Sequence, residues 1–498
     1  MRGGVMVCGT ASDVGKTHIV TGLCRLLARR GVRVAPFKAQ NMSLNSWVTE
    51  SGHEIGRAQG MQALASGAEP EVAMNPVLLK PTGDRASQVV ALGTAVAHVD
   101  AAAYYRDHIP GLRDLVAEQL DGLRRRFDVV VAEGAGGAAE INLVDHDLGN
   151  LPLAHAAALP AILVGDIERG GVFAALYGTV ALAPEPHRRL LRGLVINKFR
   201  GDPDLLGTGP ADLERRCGVA TLGVLPWMDD VGLDAEDSLA LAGPWARSER
   251  SALGDRLDVA AVRFPRIANF TDLDALAVEP GVDVRMVTRA GALGRPDLVV
   301  LPGTKATVAD LEWLRERGLD EAIRSCGATV LGICGGAQMM GRRIVDHVES
   351  GRGDVHALGW LDGTTTFLPD KVTRRRRGRS MGATLTGYQI HHGRMAAGPA
   401  AEAWIDLEDA ATKPEGEGVA DPQAGLFATS LHGLFEEDGF RSAFLGHVAD
   451  RAGKHYEPDG VAFAAVRQSR FDRLADSLED HLDLDRLFAV IEDGGLRS

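Results

Sequence analysis

Two groups of residues in this 498-residue chain have the types and spacing of reacting sites. The first is Gly9-Thr10-Ala-Ser-Asp13-Val-Gly15-Lys16-Thr17, close to the N-terminus. A glycine-rich loop that runs into a helix is an anion site, because its free backbone N–H groups and the helix dipole both face the ligand. Gly9 and Gly15 let the backbone approach phosphates, with Thr10 and Asp13 in the loop between them. Lys16 can reach the β- and γ-phosphates, and the Thr17 hydroxyl can ligate Mg²⁺. The spacing departs from the usual motif: five residues separate Gly9 from Gly15, where four are standard. Phe127-Asp-Val-Val-Val-Ala-Glu133-Gly134 reads as a buried strand ending in an acid. Phosphoryl transfer needs a carboxylate near the Mg²⁺, so Glu133 joins Thr17 as a candidate metal residue. ATP and Mg²⁺ are the expected cofactors.

The second group is Leu331-Gly-Ile-Cys334-Gly335-Gly336-Ala-Gln338. A strand that delivers a cysteine onto a glycine turn offers a thiolate nucleophile with a preformed oxyanion pocket. The Gly335 N–H is one expected oxyanion donor. A second could come from Gly303 in Pro302-Gly303-Thr304. The base should be a histidine. His432, in Ser430-Leu-His432-Gly433, is best placed, and His391 and His392 compete with it. Cys8 and Cys24 read as packing residues, and Cys217 and Cys326 have no comparable turn.

Both groups need strand ends to hold them. Short β-branched runs alternate with helical stretches, the sign of parallel sheets with crossover helices. Strands are expected at Val5–Cys8, Val32–Phe37, Val129–Ala132, Ala161–Val164, Leu194–Asn197 and Thr221–Leu225. They resume at Leu257–Phe264, Val284–Val287, Leu298–Leu301 and Thr329–Ile333. The expected fold class is therefore α/β, with two doubly wound domains. An acidic stretch marks the boundary, giving domains at 1–230 and 256–440, a linker at 231–255 and a helical C-terminal extension at 441–498. The segment from Gly351 to Gly425 is expected to hold antiparallel strands or loops, with the Arg374–Arg377 run in a solvated loop.

A net charge of −13 argues against nucleic acid as a partner, since phosphate contacts need clustered Lys and Arg. Five scattered cysteines with no CxxC pair suit a reducing cytosol. No signal peptide is read at the N-terminus, and no apolar run approaches the ~20 residues that span a bilayer. The expected location is cytoplasmic, away from membranes.

Gly332-Ile-Cys334-Gly-Gly and Leu431-His432-Gly433 resemble the glutamine amidotransferase domain of cobyric and cobyrinic acid amide synthases. The N-terminal half is similar to their ATPase domain, which is related to dethiobiotin synthetase. The segments Phe37–Ser46, Asn75–Arg85, Gly165–Phe173 and Asn197–Asp202 resemble cobyric acid synthases in particular. The likeness runs from Gly9 to about Phe435. It implies a P-loop NTPase-like parallel sheet followed by a class I glutamine amidotransferase-like, flavodoxin-type domain. It implies ATP- and glutamine-dependent amidation of the b, d, e and g carboxylates of adenosylcobyrinic acid a,c-diamide, with glutamine and a corrinoid as small-molecule partners. By the same likeness Cys334 is the nucleophile and His432 the base. Asn197 and Lys198 should lie near the adenine, and Lys38 and Gln40 near the transferring phosphate or the corrin. Asn41, Lys80, Asp84 and Arg85 are further candidates for substrate or phosphate.

Departures from the family pattern fall at His18, Ala138, Ala139 and Ala337. The usual glutamine-hydrolysing triad continues from its His with Pro and Glu, and here Gly433-Leu434 follow. The third member is absent at that position, so the group that orients His432 is left open, with Glu436 as one candidate. The rival readings are a cobyrinic acid a,c-diamide synthase, a regulatory or partitioning P-loop ATPase, and a binding module with an inactive glutaminase. Partitioning ATPases carry an extra Lys early in the loop, where Ala11 and Ser12 stand here.

Overall fold

The computed structural model describes residues 1–83, 86–100, 103–228, 256–399, 401–408, 415–458 and 460–494. The expected linker at 231–255, and Asp84 and Arg85, lie outside the described residues. The chain divides into two compact units.

The first unit is built on a parallel sheet of β1 (Gly3–Gly9), β2 (Val34–Phe37), β3 (Val129–Glu133), β4 (Ala161–Asp166), β5 (Leu191–Phe199) and β6 (Thr221–Pro226), in the order β6-β5-β4-β1-β3-β2. These strands read as continuous apolar runs because helices cover both faces, so neither face needs polar residues. β1, β3 and β4 are almost wholly buried. Met6, Cys8, Val130, Leu163 and Ile196 share one core. The unit also holds a smaller sheet of Gln40–Met42, Val77–Pro81, Ala86–Ala91 and Thr94–Asp100, and a further short strand at Glu54–Gly56.

The second unit carries β7 (Leu257–Val262), β8 (Val282–Val287), β9 (Leu298–Leu301), β10 (Thr329–Ile333), β11 (Val419–Asp421) and β12 (Leu426–Thr429), in the order β8-β7-β9-β10-β12-β11. All pairs are parallel except β11 with β12. This is a flavodoxin-type order with an antiparallel edge. Between β10 and β11 the chain forms a long antiparallel hairpin, Gly363–Ser380 with Ala383–Ala397.

Two stretches depart from contiguous domain blocks. Leu44–His53 belongs to the second unit, and the chain from Arg467 onward returns to the first. The return is explained by packing. Helix Phe463–His481 pairs Asp472, Asp476 and Glu479 with Arg25, Arg29 and Arg30 of helix Lys16–Arg29 and its end, at 2.8, 2.5 and 2.5 Å. The Arg374–Arg377 run is not in a loop. It lies on the hairpin strand, where alternation turns Arg376 inward to meet Glu415 at 2.6 Å.

Candidate active site

β1 stops at Gly9 and a helix begins at Lys16. The turn between them requires positive φ at Asp13 (58°) and Gly15 (97°), and glycine adopts the latter without steric cost. The loop is pinned to its neighbours, with Thr10 N donating to Val164 O and Ala138 N donating to Gly9 O, each at 2.9 Å. Lys16 Nζ donates to the carbonyls of Ala11 and Gly136, both at 2.9 Å.

Glu133, at the end of β3, collects donors from three elements. Oε1 accepts from Thr17 Oγ1 (2.9 Å) and Lys38 Nζ (2.8 Å), and Oε2 accepts from Gln62 Nε2 (2.6 Å). Sequence reasoning missed Gln62, which sits in an unremarkable helix. Thr17 and Glu133 offer neighbouring hard oxygens of the kind Mg²⁺ takes, so this pair fits that ion.

Asn197 and Lys198, at the end of β5, grip the loop backbone. Asn197 Nδ2 donates to Val14 O at 2.8 Å. Lys198 Nζ pairs with Asp166 at 2.8 Å and also donates to Asp13 O. The remaining candidates meet other protein groups. Gln40 accepts from Tyr104 Oη at 2.6 Å, Asn41 donates to Gln59 at 3.0 Å, and Lys80 pairs with Glu54 at 2.5 Å.

In the second unit β10 ends at Cys334, whose φ of 51° and ψ of −110° lie outside the ordinary regions for a side-chain-bearing residue. Neighbours hold this strained conformation: Cys334 N donates to Thr429 O (2.8 Å), and Cys334 O accepts from Gln338 N (2.9 Å). The thiol is nearly buried. Gly335 opens the next helix with its Cα beside Thr304, and a Cβ on Gly303 would stand 2.9 Å from His432 Cε1. The two expected oxyanion residues therefore flank the same cysteine and histidine.

His432 is fully buried. Its Nδ1 is 2.7 Å from Asp272 Oδ2, and Asp272 Oδ1 accepts from Gly433 N at 2.7 Å. Burial opposes charging this ring, but the Asp272 carboxylate, with the Cys334 sulfur, outweighs it and raises the His432 pKa to about 10. The group that holds His432 is thus Asp272, not Glu436. The reason is topological: the ends of β7 and β12 lie on the same edge of a parallel sheet, so a short turn after β7, Phe270–Leu273, reaches a residue 160 positions later. No local signal in the sequence marks this acid.

The competing histidines differ from His432. Burial pushes His391 down to about 4 and lowers His392, whose Nδ1 lies 3.0 Å from Leu368 O. Among the described residues neither has a carboxylate comparable to Asp272 bonded to its ring. The turn that carries His432 is braced by buried Glu417, which accepts from Thr429 Oγ1 (2.6 Å), Ser430 N (2.7 Å) and Ser430 Oγ (2.7 Å). A buried thiol beside an imidazole whose far nitrogen is held by a carboxylate can attack an amide carbonyl and pass a proton to the departing amine.

Comparison with known proteins gives a consistent account. Residues 258–440 match the model of the CobB/CobQ-like glutamine amidotransferase domain, and residues 5–240 match that of the CobQ/CobB/MinD/ParA nucleotide binding domain. The chain is 53% identical over 510 residues to a protein of Nocardia farcinica named cobyric acid synthase, covering 99% of this chain and 98% of the relative. Proteins of the same name from Frankia casuarinae and Rhodococcus jostii are 50% and 51% identical, covering 99% and 97% of this chain and 98% and 94% of theirs. Among the described residues no helix is long and apolar enough to cross a membrane.

Proposed function

Because the chain belongs to the cobyric acid synthase family, we propose that it converts adenosylcobyrinic acid a,c-diamide to adenosylcobyric acid by amidating the b, d, e and g carboxylates. It is a glutamine-hydrolysing carbon–nitrogen ligase of cobalamin biosynthesis. The observation that carries the reading is the buried His432, held by Asp272 and adjacent to Cys334.

A carboxylate resists amination because oxide is a very poor leaving group. In the first unit the γ-phosphoryl of ATP passes to a carboxylate oxygen of the corrinoid, giving an acyl phosphate and ADP. Lys16 exchanges its two backbone carbonyls for phosphate oxygens, and the loop N–H groups neutralise developing charge. Thr17 and Glu133 would hold Mg²⁺, which supplies further charge neutralisation when bound. Asn197 and Lys198 fix the loop against the strand where the adenine would lie.

In the second unit the Cys334 sulfur attacks the side-chain amide carbon of glutamine. The N–H groups of Gly335 and Gly303 receive the oxyanion. His432 carries the thiol proton to the departing nitrogen, so ammonia leaves and a thioester remains, which water hydrolyses to glutamate. The freed ammonia displaces phosphate from the acyl phosphate and forms the amide. Local release matters because ammonia in bulk water near neutral pH is mostly ammonium, which has no lone pair to attack with. Cobalt enters within the corrinoid and needs no site on the protein.

The test is mass spectrometry of the corrinoid after incubation with ATP and glutamine. The expected product shows stepwise replacement of hydroxyl by amino groups on the a,c-diamide. Amidation of cobyrinic acid at a and c instead would identify the diamide synthase. ATP hydrolysis with an unchanged corrinoid would identify a partitioning-type ATPase.

A further inference from the structure

His432 has two ring nitrogens, and the structure assigns a protein partner to each. Nδ1 faces Asp272. Nε2 lies 3.3 Å from Nδ2 of Asn269. Which end of that amide faces the ring is settled by a third group. The backbone N–H of Ser46 stands 2.8 Å from Asn269 Oδ1. A backbone N–H only donates, so the amide oxygen faces Ser46 and the amide nitrogen faces His432. An amide nitrogen also only donates. Beside Asp272 and the Cys334 sulfur the ring's pKa is raised, so it keeps the thiol proton once that proton is transferred; while Cys334 still holds it, the amide nitrogen favours a neutral ring with a lone pair on Nε2 and its proton on Nδ1, directed at Asp272. This is the tautomer that can accept a proton from Cys334.

We propose that Asn269 is a positioning residue for His432: it holds the ring with Nε2 ready for the cysteine, and takes its own place from strand Ser46–Val48. The inference rests on the reading of His432 as the base of glutamine hydrolysis.

The surroundings support it. Asn269 is buried and has φ of 51°, a left-handed conformation that Asn tolerates better than most residues. It immediately precedes the turn Phe270–Leu273 that bears Asp272, so one short segment supplies partners to both ring nitrogens. Ser46 has a second link to the same histidine: its carbonyl accepts from Tyr388 Oη at 3.2 Å. The Tyr388 ring stacks on His432 with centroids 5.3 Å apart, and the two residues exchange backbone hydrogen bonds at 3.0 and 2.9 Å. Val48 packs with Tyr388 and Ile390, and the Ile390 carbonyl lies 4.0 Å from Cys334 Sγ.

Leu44–His53 is the one stretch of the sequence's front part that belongs to the glutaminase unit. It directly follows Lys38, Gln40 and Asn41 in the chain.

Two variants separate this role from simple packing. Asn269→Asp keeps the shape, the left-handed backbone and an acceptor for Ser46 N–H, but turns an oxygen toward Nε2. Asn269→Gly keeps the backbone and removes both contacts. The measurements are kcat and KM for glutamine hydrolysis in the full chain, ammonia-supported corrinoid amidation on the same preparations, and a thermal melt. Both variants are expected to lower kcat for glutamine about tenfold to a hundredfold, with KM within about threefold and ammonia-supported amidation retained. Tyr388→Phe, which loses only the hydroxyl on Ser46, should lower kcat by less, about two- to fivefold. Asn269→Asp with kcat within about twofold of wild type and an unchanged melt would overturn the proposal, because only packing would then matter. A loss shared equally by ammonia-supported amidation would overturn it too, by showing a general defect. If Cys334→Ala still hydrolysed glutamine, the fault would lie in the site reading itself and not in the role of Asn269.

Discussion

The turn after β1 and the turn after β10 share a shape: a parallel strand ends, the backbone takes positive φ, and a helix begins. They differ in what holds their side chains. At the cysteine turn the reacting groups already face one another, with Asp272 on one ring nitrogen of His432 and Asn269 on the other. At the phosphate loop the reacting groups are engaged with the protein itself. Lys16 donates to two carbonyls, and Thr17, Lys38 and Gln62 converge on Glu133. On the proposed function the first site is preorganised for its chemistry, whereas the second would exchange internal hydrogen bonds for phosphate oxygens. Each exchange is close to neutral in energy, since one charge-assisted bond replaces another. Glutamine hydrolysis should therefore depend on geometry around one imidazole, and amidation on the availability of a few cations.

The largest expected effect breaks the two sites apart. Cys334→Ala should remove glutamine hydrolysis by on the order of 10⁴-fold or more while ammonia still supports amidation. Lys16→Ala should do the reverse, lowering ammonia-supported amidation by about 10²-fold or more while glutamine is still cleaved. Parallel assays of glutamate and corrinoid amide in both variants check this crossing. A variant that lost both activities together would show that the sites do not divide as described.

Asp272→Asn sharpens the account of the preorganised side. It keeps the shape but withdraws the carboxylate that favours the Nδ1 proton, and should lower kcat for glutamine by about 10²–10⁴-fold with KM little changed. Glu436→Gln should leave kcat within about twofold, since Asp272 already holds the ring. Gly303→Ala is milder. Its Cβ would sit 2.9 Å from His432 Cε1 and 2.8 Å from Ala268 O, so the ring must shift, at a cost of about tenfold to a hundredfold in kcat.

The smallest effect concerns pH. Burial lowers the His391 pKa to about 4 from an ordinary value of 6.5. Between those values the unfolded chain binds a proton that the native site refuses, so stability rises with pH across that window. The contribution is complete above about pH 6.5 and is lost on acidification toward pH 4. Chemical denaturation of wild type and His391→Gln should diverge by about 1–3 kcal/mol across this range, with wild type losing more as pH falls. Parallel curves would mean that the ring titrates normally.

The local parts of this architecture were legible in the sequence. Gly9–Thr17 and Leu331–Gln338 each carry loop, strand end and helix start within a few residues, so spacing alone placed Lys16 and Cys334 correctly on their turns. Apolar runs marked the six strands of the first parallel sheet and four of the second, whereas the short β11 and β12 were not among the expected strands. Legibility failed where function depends on pairs distant in sequence. Asp272 and Asn269 lie some 160 residues before His432, in a turn with no motif of its own. Arg376 was hidden by its neighbours, because a run of arginines reads as solvated until strand alternation turns one inward. Leu44–His53 sits among residues of the first unit in sequence but folds into the second, which no composition shift announces.

The most direct test of the central claim uses glutamine labelled with ¹⁵N in its side-chain amide, together with ATP, the corrinoid and unlabelled ammonium. Mass spectrometry of the product should show labelled amides from the wild-type enzyme and only unlabelled amides from Cys334→Ala. Labelled amides from Cys334→Ala would contradict it, because the nitrogen would then reach the corrinoid without passing through this cysteine.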